Sequence, residues 1–391
     1  MRAYRADTAF DGEAVVPGGA LVLVEGDRIV GVERGSAATP ADCEVVHMPN
    51  ATLLPGLVDA HVHLCADGGR QALDQLPELS PHDIDQIIDR SLRQQLTAGV
   101  TAVRDLGDHE WAVVERSRTA DGRPTVVAAG PPITSIRGHC SSMGGAVAGA
   151  DQLRRAVRER AERGADVVKV MASGGAMTPG TDIRSCQFTL DEVRLVVEEA
   201  HRLGLPVTAH AHGLPAVEQC LNAEVDGIEH CSCLTAEGFR PSPGLAERLA
   251  GAGTNVCPTL GRAPGVEPAP QVRAMMERQG VTWELLLDHV AGLQRAGVRL
   301  VGGSDAGISP PKPHGVLPEA VIDLAECGMD PTAALAAATS VSAAACGLAG
   351  RTGKLRPGLD ADLLIVDGDA TRDLTALRQV RMVVSRGRPV S

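Results

Sequence analysis

Between residues 51 and 350 the chain alternates short apolar runs with longer amphipathic stretches, and this alternation restricts the fold more than any other feature. The runs are LLPGLVDAHVHL (53–64), GVTAVRDLG (99–107), PTVVAAG (124–130), ADVVKVMASGG (165–175), PVTAHAHG (206–213), GIEHCS (227–232), TNVCPTLG (254–261) and VRLVGGSDAG (298–307). Each has the length and apolar texture of a strand. Helical stretches such as ADQLRRAVRERAERG (150–164) and LDEVRLVVEEAHRLG (190–204) lie between several of them, acidic early and stopped by Gly. Strand then helix, repeated eight times, predicts an α/β fold, a parallel (β/α)8 TIM barrel. Such a barrel takes about 250 residues, so a chain of 391 leaves room for an appendage. The stretches GGALVLVEGDRIVGVERG (18–35), DADLLIVDGD (360–369) and VRMVVSRGRPV (380–390) share the texture of short strands broken by Gly-containing turns. They predict that the two termini meet in one small β domain, residues 1–50 plus 352–391, around a barrel of residues 51–351.

The first run ends on two histidines. A period of two puts His61 and His63 on one face at the carboxyl end of the first barrel strand, where both imidazoles can reach one metal ion. Other predicted strands carry metal-compatible groups at the same end: Lys169, His210, His230 and Asp305. Barrel active sites are assembled from the ends of several strands, and unpaired buried polar groups cost a few kcal/mol each, so a core without function has little reason to carry this set. Lys169 has three readings. Burial lowers a lysine's pKa, and the neutral amine can add carbon dioxide to give a carbamate that bridges two metals. It can instead pair with a nearby carboxylate such as Asp166 or only pack its stem, or form a Schiff base as in a lyase, although that last reading leaves the histidines and Asp305 unused.

Composition narrows the partners. With 37 Lys plus Arg against 49 Asp plus Glu, the net charge of -12 argues against nucleic acid and anionic membrane surfaces. No apolar run is long enough to span a membrane and the first residues lack a signal-peptide core, which predicts a soluble cytoplasmic protein. The ten cysteines include no CxxC pair and read as buried thiols. Aromatic residues make up 2% of the chain, which predicts a substrate pocket walled by aliphatic, polar and charged groups and a small polar substrate in preference to a flat aromatic one.

Taken in order, PGLVDAHVHL, VVKVMASGG, VTAHAHG, GIEHCS and GGSDAG, followed by ALAAATSVSAAACGLAGRTGKLRPGLDADLLIVDGD, resemble the amidohydrolase superfamily of metal-dependent hydrolases. Within it the chain looks most like the imidazolonepropionase-like and Xaa-dipeptidase (prolidase-like) branch with a carboxylated lysine. The resemblance implies that His61, His63 and Asp305 hold one divalent metal, that His210 and His230 hold a second, and that a carbamate on Lys169 bridges them. It implies zinc as the usual metal, and a β-sandwich built from the terminal segments. One departure is Ser304, where relatives usually have Thr before the Asp; the hydroxyl is kept.

The implied mechanism is attack by a metal-bridging hydroxide on an amide carbonyl, with Asp305 moving the proton to the leaving nitrogen. The expected substrate is a small molecule, a dipeptide or N-acyl amino acid. A cyclic amide or lactone opened by the same site is the alternative, and a lyase using Lys169 is the rival of another class. The resemblance places His139 against the scissile carbonyl. Arg137 and Arg184 are candidates for gripping a substrate carboxylate through a bidentate guanidinium. His212 shares a face with His210 and is expected to line the pocket or orient a ligand, and His314 is a candidate cover for the site. The loop 173–186 is the candidate lid. A homo-oligomer is implied only by the resemblance.

Overall fold

The computed structural model describes residues 1–116, 123–268 and 270–390. Eight parallel strands fall on the eight predicted runs, seven inside them and the sixth running three residues past its end: Leu57–Val62, Val100–Asp105, Thr125–Ala128, Val168–Met171, Val207–Gly213, Gly227–Thr235, Asn255–Cys257 and Arg299–Leu300. Hydrophobic side chains that fill the space between strands and helices form the main core.

The strands do not form the single continuous ladder that a closed barrel predicts. The first three make one sheet and the last five belong to another. At one junction the third strand meets the fourth through Ala128, whose carbonyl accepts from Asp166 N–H at 2.9 Å; Pro131 and Pro132 then offer no N–H, and contact resumes at Ile133, whose N–H donates to the Lys169 carbonyl at 2.8 Å. At the other junction the last strand pairs over only two residues before Gly302 and Gly303. The chain still returns to the first strand, because Ala60 N–H donates to Gly302 O at 3.0 Å and Asp305 N–H to His61 O at 2.8 Å.

The terminal segments differ from the predicted β-sandwich. They build one seven-stranded mixed sheet in the order Arg388–Val390, Val380–Ser385, Leu363–Asp367, Glu44–Pro55, Arg2–Ala9, Ala20–Glu25, Arg28–Arg34. One sheet suffices because it curls: the turn after Glu25 meets the segment before Leu363, with Ala361 N–H donating to Asp27 O at 2.8 Å and Ile29 N–H to Leu359 O at 2.9 Å. Strand periodicity divides the side chains. Tyr4, Val22, Leu53, Leu363 and Ile365 share the sheet's own core, whereas Leu54, Leu364 and Val366 face the main core.

Capping sets the helix limits. Ser80 with Asp83 and Thr189 with Glu192 form reciprocal capping boxes at the starts of Pro81–Thr97 and Leu190–Arg202. The helix Gly149–Arg163 stops at Gly164, whose φ of 77° is left-handed. Because all eight strands run parallel, their carboxyl ends lie at one end of the molecule, and the loops above them meet there. Among the described residues no helix is long and apolar enough to cross a membrane.

Candidate active site

At the end of the first strand His61 and His63 both point toward Asp305. Each Nε2 lies 3.3 Å from Asp305 Oδ1. The other ring nitrogen is already engaged: His61 Nδ1 is 2.8 Å from Glu229 Oε2 and His63 Nδ1 is 2.9 Å from the Gly107 carbonyl. Both acceptors fix the proton on Nδ1 of a neutral ring, which leaves the Nε2 lone pairs facing a carboxylate oxygen. Three lone-pair donors converging on one point is the chemistry of a cation site. Burial opposes protonation of His63, but the hydrogen bond and charge of Asp305 outweigh it and raise the pKa. The carboxylate thus draws positive charge to the place where a metal ion would supply it.

The second cluster is all imidazole. His210, His212 and His230 bring ligand atoms within 4.8 Å of one another, and the His212 and His230 rings stack at 4.3 Å. His230 Nδ1 donates to Thr259 Oγ1 at 2.8 Å, since that hydroxyl gives its own proton to the Pro258 carbonyl. His212 Nδ1 lies 2.9 Å from Ser232 Oγ. Lys169 is buried in the same cavity, and burial lowers the pKa of its amine. The Asp166 carboxylate, named above as one partner for it, accepts from Ala128 N–H at 3.0 Å. His139 packs against His210 at 4.6 Å between ring centres, with Nδ1 2.8 Å from Thr178 Oγ1 of the loop 173–186. Burial drives its pKa down to about 3, so the ring is neutral. Gly175 is required beside it, because an added Cβ would stand 2.4 Å from His139 Nε2.

Residues 52–390 match the Amidohydrolase family. The chain belongs to the amidohydrolase family. It is 28% identical to an ochratoxinase of Aspergillus niger over 365 residues, 85% of this chain and 73% of that protein. It is also 28% identical to an imidazolonepropionase of Symbiobacterium thermophilum, over 96% and 90% of the two chains. A solved Xaa-Pro dipeptidase with bound methionine in its active site superposes with a TM-score of 0.85 at 23% identity, covering 100% of this chain and 99% of that one. The fold is therefore of the TIM-barrel type found in this family, and the protein is a hydrolase of amide C–N bonds.

In this amidohydrolase three expected substrate residues stay outside the cavity. Arg137 is exposed in a turn, Arg184 pairs with Asp182 at 3.3 Å, and neither lines the cavity. His314 is buried with Nε2 2.9 Å from the Ala66 carbonyl and Nδ1 3.4 Å from Gln95, so both nitrogens serve the scaffold. The guanidinium that does line the cavity is Arg262, stacked over Trp283 at 3.9 Å.

Sequence reading also missed the support beneath the histidines. Glu229 accepts from Thr208 Oγ1 at 2.5 Å and Arg104 Nη2 at 3.0 Å besides holding His61. Although burial opposes it, His61 and Arg104 beside it hold the Glu229 carboxyl well below the ordinary range. Asp59 accepts from Ser304 Oγ at 2.5 Å and from His61 N–H at 3.2 Å, which accounts for the hydroxyl before Asp305. His230, Thr259 and Asp305 have φ of 68°, 51° and 60°, and such left-handed backbone on non-glycine residues is strain of order 1–3 kcal/mol each that collects at functional sites.

The cavity measures about 250 Å³. Its floor is polar, as composition predicts, but its mouth is not. Three of the nine methionines, Met177, Met275 and Met276, and two of the six aromatics, Phe239 and Trp283, line it.

Proposed function

We propose that this amidohydrolase binds two divalent metal ions, zinc the usual choice, and cleaves an amide of a dipeptide or N-acyl amino acid. His61, His63 and Asp305 would hold one ion, His210 and His230 the other, with a carbamate on Lys169 between them and His212 beside the second. The observation that carries this reading is the pair of Nε2 atoms facing Asp305, an arrangement of acceptors that a bound cation would reconcile. The imidazole and carboxylate donors suit zinc, and a carbamate adds a hard oxygen donor without a repelling ammonium. Ions held there lower the pKa of water toward neutrality and polarise the scissile carbonyl.

The chain's own residues supply the rest. Burial opposes ionisation of Asp305, but His61 and His63 beside it hold its carboxyl well below the ordinary range. It is therefore ionised and takes the proton that passes to the leaving nitrogen. Thr178 Oγ1, which accepts from Cys140 N–H at 3.1 Å, gives its proton to His139 Nδ1 and leaves His139 Nε2–H to donate to the carbonyl oxygen. The relatives named ochratoxinase and Xaa-Pro dipeptidase support an acyl amino acid or dipeptide substrate, and the imidazolonepropionase supports a cyclic amide as the second candidate.

The test is metal content per chain in wild-type protein and in Lys169→Ala, each reconstituted with zinc and ¹³C-bicarbonate and followed by ¹³C NMR. Near two metals, a carbamate resonance in the wild type alone and a clear metal loss in the variant are expected. A wild type that binds no metal after reconstitution would overturn the reading.

A further inference from the structure

The mouth of the cavity includes a helix face that packs on no core. The helix Pro270–Arg278 carries Val272, Met275 and Met276 at i, i+3 and i+4, which puts them on one face. That face is partly exposed and joins none of the hydrophobic cores, yet all three side chains line the same cavity as the histidines. Met177 and Ile183 of the loop 173–186 line it too. A gap of about 410 Å³ separates loop from helix, bordered by Met177, Ile183 and Met275.

An apolar helix face left in contact with water is costly at roughly 25 cal/mol per Å², and methionine adapts to irregular apolar shapes. Beside this wall stands Arg262, flat on Trp283. Among the described residues no carboxylate ion-pairs with it. Such a guanidinium keeps its hydrogen-bond fork open for an anion.

We infer that the mouth is a specificity subsite for a bulky apolar group, an aromatic ring or long acyl chain, and that Arg262 takes the substrate's carboxylate. The preferred substrates are then N-acyl amino acids with a large apolar acyl group or side chain, and small acetylated amino acids are poor ones. This inference rests on the hydrolytic reading of the cavity floor. It reverses the small polar substrate that the shortage of aromatics predicts, because the mouth brings Phe239 and Trp283 together with Met177, Met275 and Met276.

The experiment compares N-acetylglycine, N-hexanoylglycine, N-(2-naphthoyl)glycine and the carboxamide of the last, using metal-loaded enzyme. The naphthoyl acid is expected to exceed the acetyl acid in kcat/KM by about tenfold or more. In Met275→Gln/Met276→Gln that ratio should collapse toward one. In Arg262→Gln the preference for the acid over its carboxamide should be lost.

A wild-type ratio near one, a high ratio that persists in Met275→Gln/Met276→Gln, or an acid preference that survives Arg262→Gln would overturn the assignment. Calorimetric titration with the same compounds reads the subsite independently of turnover. If nothing is hydrolysed but the naphthoyl acid binds about tenfold tighter than the acetyl acid, the hydrolytic reading fails and the subsite stands. Equal binding sinks the subsite.

Discussion

Glu229 shows what one side chain adds to a ligand set. It neighbours His230 in sequence, so a period of two would send the two side chains to opposite faces. The left-handed φ of 68° at His230 breaks that period. Glu229 thereby stays under His61, 2.8 Å from its Nδ1, while the His230 ring lies 5.5 Å from the His61 ring. A carboxylate behind a ligating imidazole fixes its tautomer and raises its basicity, typically worth 10–100-fold in metal affinity. Glu229→Gln should lower the affinity for zinc by about that factor, read by competition with a chromogenic chelator. It should also lower Tm, because Arg104 is left buried without its counter-charge, a loss of about 3–5 kcal/mol in comparable pairs. A variant with unchanged zinc affinity would show that Glu229 serves only the scaffold. The histidines were legible because each ends an apolar run; Glu229 was not, because its place depends on a backbone torsion.

At the scale of elements, the helix Leu190–Arg202 illustrates how local signals suffice. Its apolar positions Val193, Val196, Val197 and Ala200 recur with helical spacing and are buried, and Thr189 with Glu192 states where it begins. Thr189→Ala removes the hydroxyl that accepts from Glu192 N–H, at a cost of about 1 kcal/mol. Tm should drop by about 2 °C and return in Thr189→Ser, with zinc content unaltered, as differential scanning calorimetry can establish. A drop that Ser does not rescue would assign the effect to lost packing of the methyl group. The last barrel strand was less legible. The run 298–307 reads as a full strand, but only Arg299–Leu300 pair regularly; Gly302, Gly303 and the left-handed Asp305 bend the rest across the first strand. The face of Pro270–Arg278 escaped notice because its spacing is that of any core-facing helix, and only the assembled molecule shows that it meets a cavity.

For the whole molecule, the junction between terminal sheet and barrel is held by buried polar contacts as well as by apolar side chains. Asp362 accepts from Arg386 N–H at 2.8 Å and Thr352 Oγ1 at 2.9 Å, while its own carbonyl receives Gly56 N–H at 3.0 Å. Burial raises its carboxyl from 3.8 to about 6. Between those values the folded chain holds a proton that the unfolded chain has released, so rising pH favours unfolding. The stability contributed by this group is full below its unfolded value and lost as pH rises through about 6. Asp362→Asn, which keeps an acceptor for Arg386 N–H, should lose less Tm than wild type between pH 4 and 7. Identical slopes in the two proteins would exclude Asp362 as the titrating group. By itself the sequence determined where the eight strands fall, two of the helices between them and the histidines at strand ends, since all of these follow from local periodicity. Tertiary structure alone decided that the termini curl into one sheet, that Glu229 supports His61, that Arg262 and not Arg137 or Arg184 reaches the cavity, and that the mouth is apolar. Each of those depends on residues far apart in the chain, and periodicity carries no information about which distant side chains share a space.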